Sequence, residues 1–152
     1  MRLIDTNIIL LDSNDRTKEQ VMHTITELLH KDNRILSKEL FKSDLLEREI
    51  EASTSMGFGI AIPHTQSHQV KDSSIVFIKL KKAIKWNGDD VKLIFGIAVP
   101  YENVDNIHLK ILSKLARKLM VDEFRTALQN INSKDDAIRE LAFINEEMIN
   151  GV

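Results

Sequence analysis

Two long apolar runs rich in β-branched residues, Ser74 to Leu80 and Val91 to Val99, flank an Asn87-Gly88 pair near the middle of the chain. Asn-Gly is a hairpin signal, because both residues tolerate the left-handed backbone of a two-residue turn. The two runs are therefore expected as antiparallel neighbours in one sheet, the second stopped by Pro100. Between them, Ala83 to Asp90 carries the only tryptophan, Trp86. It reads as a core anchor at a strand end, with an interface residue as the other reading.

Helical periodicity brackets this central pair on both sides. Ile8 to Leu11 is a short apolar run bounded by Asn7 and Asp12 and predicts a strand. Thr17 and Gln20 resemble a capping box, and Val21, Ile25, Leu28 and Leu29 repeat at helical spacing until about Lys31. Ser37 is the next expected cap, followed by a stripe of Leu40, Phe41 and Leu45 that runs to about Ile50, with Arg48 and Glu49 in the last turn. Gly57 and Gly59 flank Phe58 and permit tight turns, and Ile60 to Ile62 predicts a strand ended by Pro63-His64. Beyond Pro100, His108, Ile111, Leu112, Leu115 and Leu119 share a helical face, capped by Asp105 or Asn106. Shorter helices are expected around Phe124 to Leu128 and from Ser133 through Ile138, Leu141 and Ile144. Helices on either side of strands in sequence predict an α/β fold: a single domain, 1–152, with a mixed β-sheet of about five strands and helices on both faces.

Composition narrows the function. Among 152 residues, 21 basic side chains against 23 acidic ones give a net charge of −2, which argues against a nucleic-acid binder. The absence of cysteine excludes disulfide scaffolding and thiolate chemistry. The longest apolar run, Leu93 to Pro100, is far too short to span a bilayer, and the N-terminus has no apolar signal region, so a cytoplasmic protein without membrane insertion is expected. The chain also reads as complete.

Of five histidines, His64 is the most constrained, following a strand and a proline where catalytic groups often lie, although a surface loop histidine would look the same. His108 falls in the first turn of a helix on its apolar face, where it could help bind an anion or simply sit in the core. Arg48 taken alone reads as an exposed cation at a helix C-terminus. His64 and His68 form an H-x-x-x-H pair, but the segment is not helical in pattern and offers no third ligand, so no metal site is expected. Gly57-Phe58-Gly59 matches neither a Walker motif nor a dinucleotide loop.

The stretch Arg48-Glu49 followed by Ser53-Thr54-Ser55-Met56-Gly57-Phe58-Gly59-Ile60-Ala61-Ile62-Pro63-His64 resembles the phosphorylation-site signature of phosphotransferase-system (PTS) enzyme IIA domains of the fructose/mannitol class. Ile84-Lys85-Trp86, Ile97-Ala98-Val99-Pro100 and His108 to Ala116 are similar to that family's later blocks. The resemblance implies a phosphoryl carrier that needs no cofactor or metal. His64 would accept the group from phospho-HPr and pass it to a cysteine of enzyme IIB, which serves a membrane enzyme IIC. His108 and Arg48 would donate hydrogen bonds to the phosphoryl oxygens, with Thr54 as a further donor. An apolar docking surface around His64 would use Met56 and Phe58, although both could equally be core. The sugar is not legible here. A regulatory protein of the same fold, controlled by the phosphorylation state of His64, is the alternative.

Overall fold

The computed structural model of the protein describes residues 2–102 and 107–149, with the side chains of residues 107, 108 and 146–149 outside that description. After a 3-10 turn, Thr6–Ile8, the chain forms β1 (Ile9–Ser13), α1 (Lys18–Lys31) and α2 (Lys38–Glu51). Three short strands follow, β2 (Ser55–Gly57), β3 (Ile60–Ala61) and β4 (His64–Ser67), then the long pair β5 (Ser74–Trp86) and β6 (Asp89–Pro100). Three helices end the chain: α3 (Ile107–Leu119), α4 (Asp122–Gln129) and α5 (Lys134–Ile149).

The expected caps hold both N-terminal helices. Thr17 accepts from the backbone N–H of Gln20, and Ser37 from that of Leu40. The Gln20 side chain turns back to the N–H of Arg16 rather than to that of the cap residue. The expected α3 caps, Asp105 and Asn106, lie outside the described residues.

The six strands form one mixed sheet in the order β1-β5-β6-β3-β2, and β4 also pairs with β6. β5 and β6 are antiparallel as expected, but both outrun the apolar segments. They close on a turn in which Asn87 and Gly88 have φ of +51° and +92°. The register slips between Lys79 and Ile84, where Lys81, Lys82 and Ala83 are exposed and bulge from the pairing. β1 runs parallel to β5, β3 and β4 run parallel to β6, and β2 folds back antiparallel on β3. β2 was not legible in sequence, being three residues long with no apolar alternation.

Alternation along the central strands divides the core. Phe77, Phe95, Ile97 and Val99 face one way and pack with Ile111, Leu115, Phe124 and Leu141 of the three C-terminal helices. Val76, Ile78, Ile94 and Ala98 face the other and pack with Ile25, Leu29, Phe41 and Leu45 of α1 and α2. A strand buried on both faces reads as a continuous apolar run, which is why β5 and β6 dominate the sequence pattern. The α2 stripe is narrower than expected. Phe41 and Leu45 are buried, whereas Leu40 and Ile50 are exposed, and the third inward position is the carboxylate of Glu49. Among the described residues, no helix is long and apolar enough to cross a membrane.

Candidate phosphoryl-transfer site

β3 and β4 lie end to end along the same edge of β6, and the register is unchanged across the break between them. Ile62-Pro63 makes that break. Proline has no N–H to give the sheet, though its carbonyl still accepts from Ile97 at 2.9 Å. His64 is thus the first residue of a strand, not a loop residue beyond one as the sequence had suggested. Its Nδ1 lies 2.7 Å from the carbonyl oxygen of Ile62. A carbonyl oxygen can only accept, so Nδ1 carries the proton and Nε2 carries the lone pair of the neutral ring. Burial depresses the His64 pKa below its ordinary 6.5, opposed by the Ile62 hydrogen bond. The nearby charge of Arg48 depresses it further, and Glu49 opposes that.

His64 opens into a cleft of about 350 Å³ lined by α2 residues Asp44, Glu47, Arg48 and Glu51 and by Thr65 to His68 and Tyr101. Arg48 is held there by donating Nη1–H to the carbonyl of Ala52 at 3.0 Å, just past the end of its helix. The cleft is electrostatically mixed. One guanidinium faces three carboxylates, of which Asp44 accepts a 2.6 Å hydrogen bond from Ser67.

The structure therefore brings His64 and Arg48 to one cleft. His108 lies in the first turn of α3, and its side chain is outside the described residues. Thr54 does not line the cleft: its hydroxyl donates to Glu49 Oε1 at 2.5 Å and its N–H to Glu49 Oε2 at 2.8 Å. Phe58 does not line the cleft either. It sits in the turn between β2 and β3, before the start of β3, whereas His64 follows the end of that strand; its φ is +58°, it is half exposed, and the Arg125 guanidinium lies 3.9 Å from its ring centroid. Met56 is half-buried against the core of the C-terminal helices. His68 lies just past β4, four positions along extended chain from His64 and so roughly 13 Å away, and its ring stacks on Tyr101 at 4.1 Å. The helical spacing that would let two such imidazoles share a metal is absent from this pair.

Sequence reasoning passed over Glu49 as a residue of its own. It is 4% exposed and accepts from Trp86 Nε1 at 3.1 Å as well as from Thr54. The signal was present in its spacing, since Phe41, Leu45 and Glu49 share one helical face.

Comparison with known proteins bears on the fold and the family. A fructose-specific EIIA component of the PTS from Haloferax volcanii is 34% identical over 142 residues, which is 91% of this chain and 92% of the relative. Nitrogen regulatory protein IIA-Ntr from Neisseria meningitidis superimposes with a TM-score of 0.84 at 31% identity, covering 91% of this chain and 96% of the other. The fold alone is shared with the Escherichia coli mannitol enzyme IIA in its complex with phosphorylated enzyme IIB (TM-score 0.77, 23% identity, covering 91% and 96% of the two chains). The chain spans only 16% to 22% of the length of longer curated relatives, among them Multiphosphoryl transfer protein 2 of Escherichia coli. The family model for "Phosphoenolpyruvate-dependent sugar phosphotransferase system, EIIA 2" matches residues 2–143, and the chain belongs to that family.

Proposed function

We propose that this protein is a phosphoryl carrier of a sugar phosphotransferase system and that Nε2 of His64 is the atom that carries the group. The observation that bears most weight is the Ile62 carbonyl on Nδ1, which selects the tautomer whose Nε2 is nucleophilic. The lone pair on Nε2 attacks the phosphorus of phospho-HPr. As the new N–P bond forms, the donor's N–P bond breaks and its electron pair returns to the donor imidazole. Arg48 supplies N–H donors toward the phosphoryl oxygens, and His108 is the second donor proposed. The acidic rim of Asp44, Glu47 and Glu51 keeps the cleft from becoming a general anion trap. A carrier must release what it accepts, and the next acceptor in this reading is a cysteine of enzyme IIB, which serves a membrane enzyme IIC for a sugar or sugar alcohol. The reading places the protein in the cytoplasm.

The test is direct. Phosphorylated HPr should convert the protein to an acid-labile, base-stable phosphoprotein, with mass spectrometry locating the group on His64. Label retained by His64→Ala would show the assignment to be wrong.

The close superposition on a nitrogen regulatory IIA protein favours a second reading, in which the phosphorylation state of His64 governs binding to a partner protein. Onward transfer to an enzyme IIB cysteine separates the two readings, because only the first requires it.

A further inference from the structure

We propose that Glu49 is the positioning residue of the phosphoryl site, fixing His64 in orientation and tautomer without touching the phosphoryl group; this rests on the carrier reading above. Its carboxylate is the hub of an unbroken hydrogen-bonded line. Trp86 Nε1–H, at the tip of the β5–β6 hairpin, donates to Oε2 at 3.1 Å, and the Thr54 N–H donates to the same oxygen at 2.8 Å. The Thr54 hydroxyl takes Oε1 at 2.5 Å. The carbonyl of Thr54 in turn accepts from the N–H of Ile62 at 3.0 Å, and the Ile62 carbonyl holds Nδ1 of His64 at 2.7 Å.

The line acts by position rather than by polarisation, because the N–H and C=O of one residue belong to different peptide units. Fixing Thr54 fixes Ile62, and fixing Ile62 aims the carbonyl that selects the histidine tautomer. Arg48 is the preceding residue on the same helix turn, so the anchor that holds Thr54 also locates the guanidinium. A carboxylate suits this place. It offers only acceptors, and all three groups pointed at it are donors. Buried at 4% exposure, it would be costly if any of those donors were lost.

Two variants test this in the full-length protein. Glu49→Gln keeps the shape but turns one acceptor into a donor, and Thr54→Val removes the hydroxyl while leaving the backbone line in place. With 15N-labelled histidine, the wild-type His64 should show the Nδ1–H tautomer alone, and Glu49→Gln should show a mixture of tautomers. The kcat for phosphoryl acceptance should fall about tenfold or more in Glu49→Gln, with KM for phospho-HPr unchanged. Thr54→Val should move both readouts the same way by less, and it carries the test should Glu49→Gln fail to fold. An unchanged tautomer, or an unchanged kcat, in folded variants would overturn the proposal. The tautomer is read without any phosphoryl donor, so it stands apart from the question of whether His64 is the residue phosphorylated.

Discussion

Nδ1 of His64 and the carbonyl oxygen of Ile62 meet at 2.7 Å across a single intervening residue, Pro63. The proline ring fixes one backbone torsion between the two groups and leaves the aim of the Ile62 carbonyl to the residues that hold Ile62. Burial outweighs the stabilisation this bond gives to the charged ring, and the pKa of His64 falls below 6.5. The nucleophilic neutral form therefore persists to lower pH than in an ordinary histidine. Phosphoryl acceptance should decline with falling pH on a midpoint below 6.5, matching the His64 titration followed by NMR. The stability effect has a definite sign. Between the depressed native pKa and 6.5, the unfolded chain binds the proton more readily, so this group makes the fold less stable as pH drops through that window. A His64 midpoint at or above 6.5 would contradict both statements.

Arg48 is tethered to Ala52 by one N–H and turns the rest of its guanidinium to the cleft. Arg48→Ala should slow phosphoryl acceptance about 100-fold, the cost of removing one oriented donor from a transferring group. Arg48→Lys should recover little, because an ammonium cannot both cap Ala52 and present a planar fork. His108→Ala should leave the fold intact and slow transfer likewise; a wild-type rate would return His108 to a packing role. Single-turnover transfer from phospho-HPr measures all three.

Most of the architecture was legible because its causes are local. The Asn87-Gly88 turn, the Thr17 and Ser37 caps and the unbroken apolar runs of β5 and β6 each declare themselves within a few residues. His64 and Arg48 were legible through their motif. What escaped depends on distant partners. Glu49 reads as one more charged residue near a helix end, until Trp86, 37 positions away, supplies a donor. Arg34 carries no local signal in the segment after α1, yet it is fully buried. Phe58 is close to His64 in sequence, but the extended strand β3 runs between the two and keeps Phe58 out of the cleft.

Arg34 donates to four groups on three segments of the chain. It donates to Asp5 at 2.8 Å, to Asp32 at 2.7 Å, to the carbonyl of Arg2 at 2.7 Å and to Ser74 Oγ at 3.0 Å. The N-terminal segment, the α1–α2 turn and the start of β5 are thereby held together. Arg34→Leu strands these acceptors and should cost about 2–3 kcal/mol, below the upper range for buried pairs because both aspartates keep some contact with water. Urea unfolding should show a lower midpoint, while His64 phosphorylation should survive in the folded fraction, because β6 lies between Ser74 of the network and the His64 strand.

Gly96 of β6 lies directly against Ile25 of α1. A Cβ there would meet Ile25 Cδ1 at 2.8 Å and its Cγ1 and Cγ2 at 3.1 Å. Ile25 is buried, and its β-branch leaves it stiff at χ1, so it cannot swing clear. Gly96→Ala should therefore destabilise by about 1–3 kcal/mol, as overpacking does. Ile25→Val removes the nearest atom, so the double variant should recover part of the loss and the two changes should be non-additive in a urea-unfolding cycle. Two elements could yield. β6 is hydrogen-bonded on both edges, to β5 and to β3 and β4, whereas α1 rests on the sheet through side chains. The helix should be the one to move. Ile97, next to Gly96, donates to the Pro63 carbonyl beside His64, so a displaced strand would disturb the phosphoryl site and a displaced helix would not. Near-wild-type transfer by folded Gly96→Ala is the expected result, and a loss of transfer beyond the loss of folded protein would show that the strand had shifted instead.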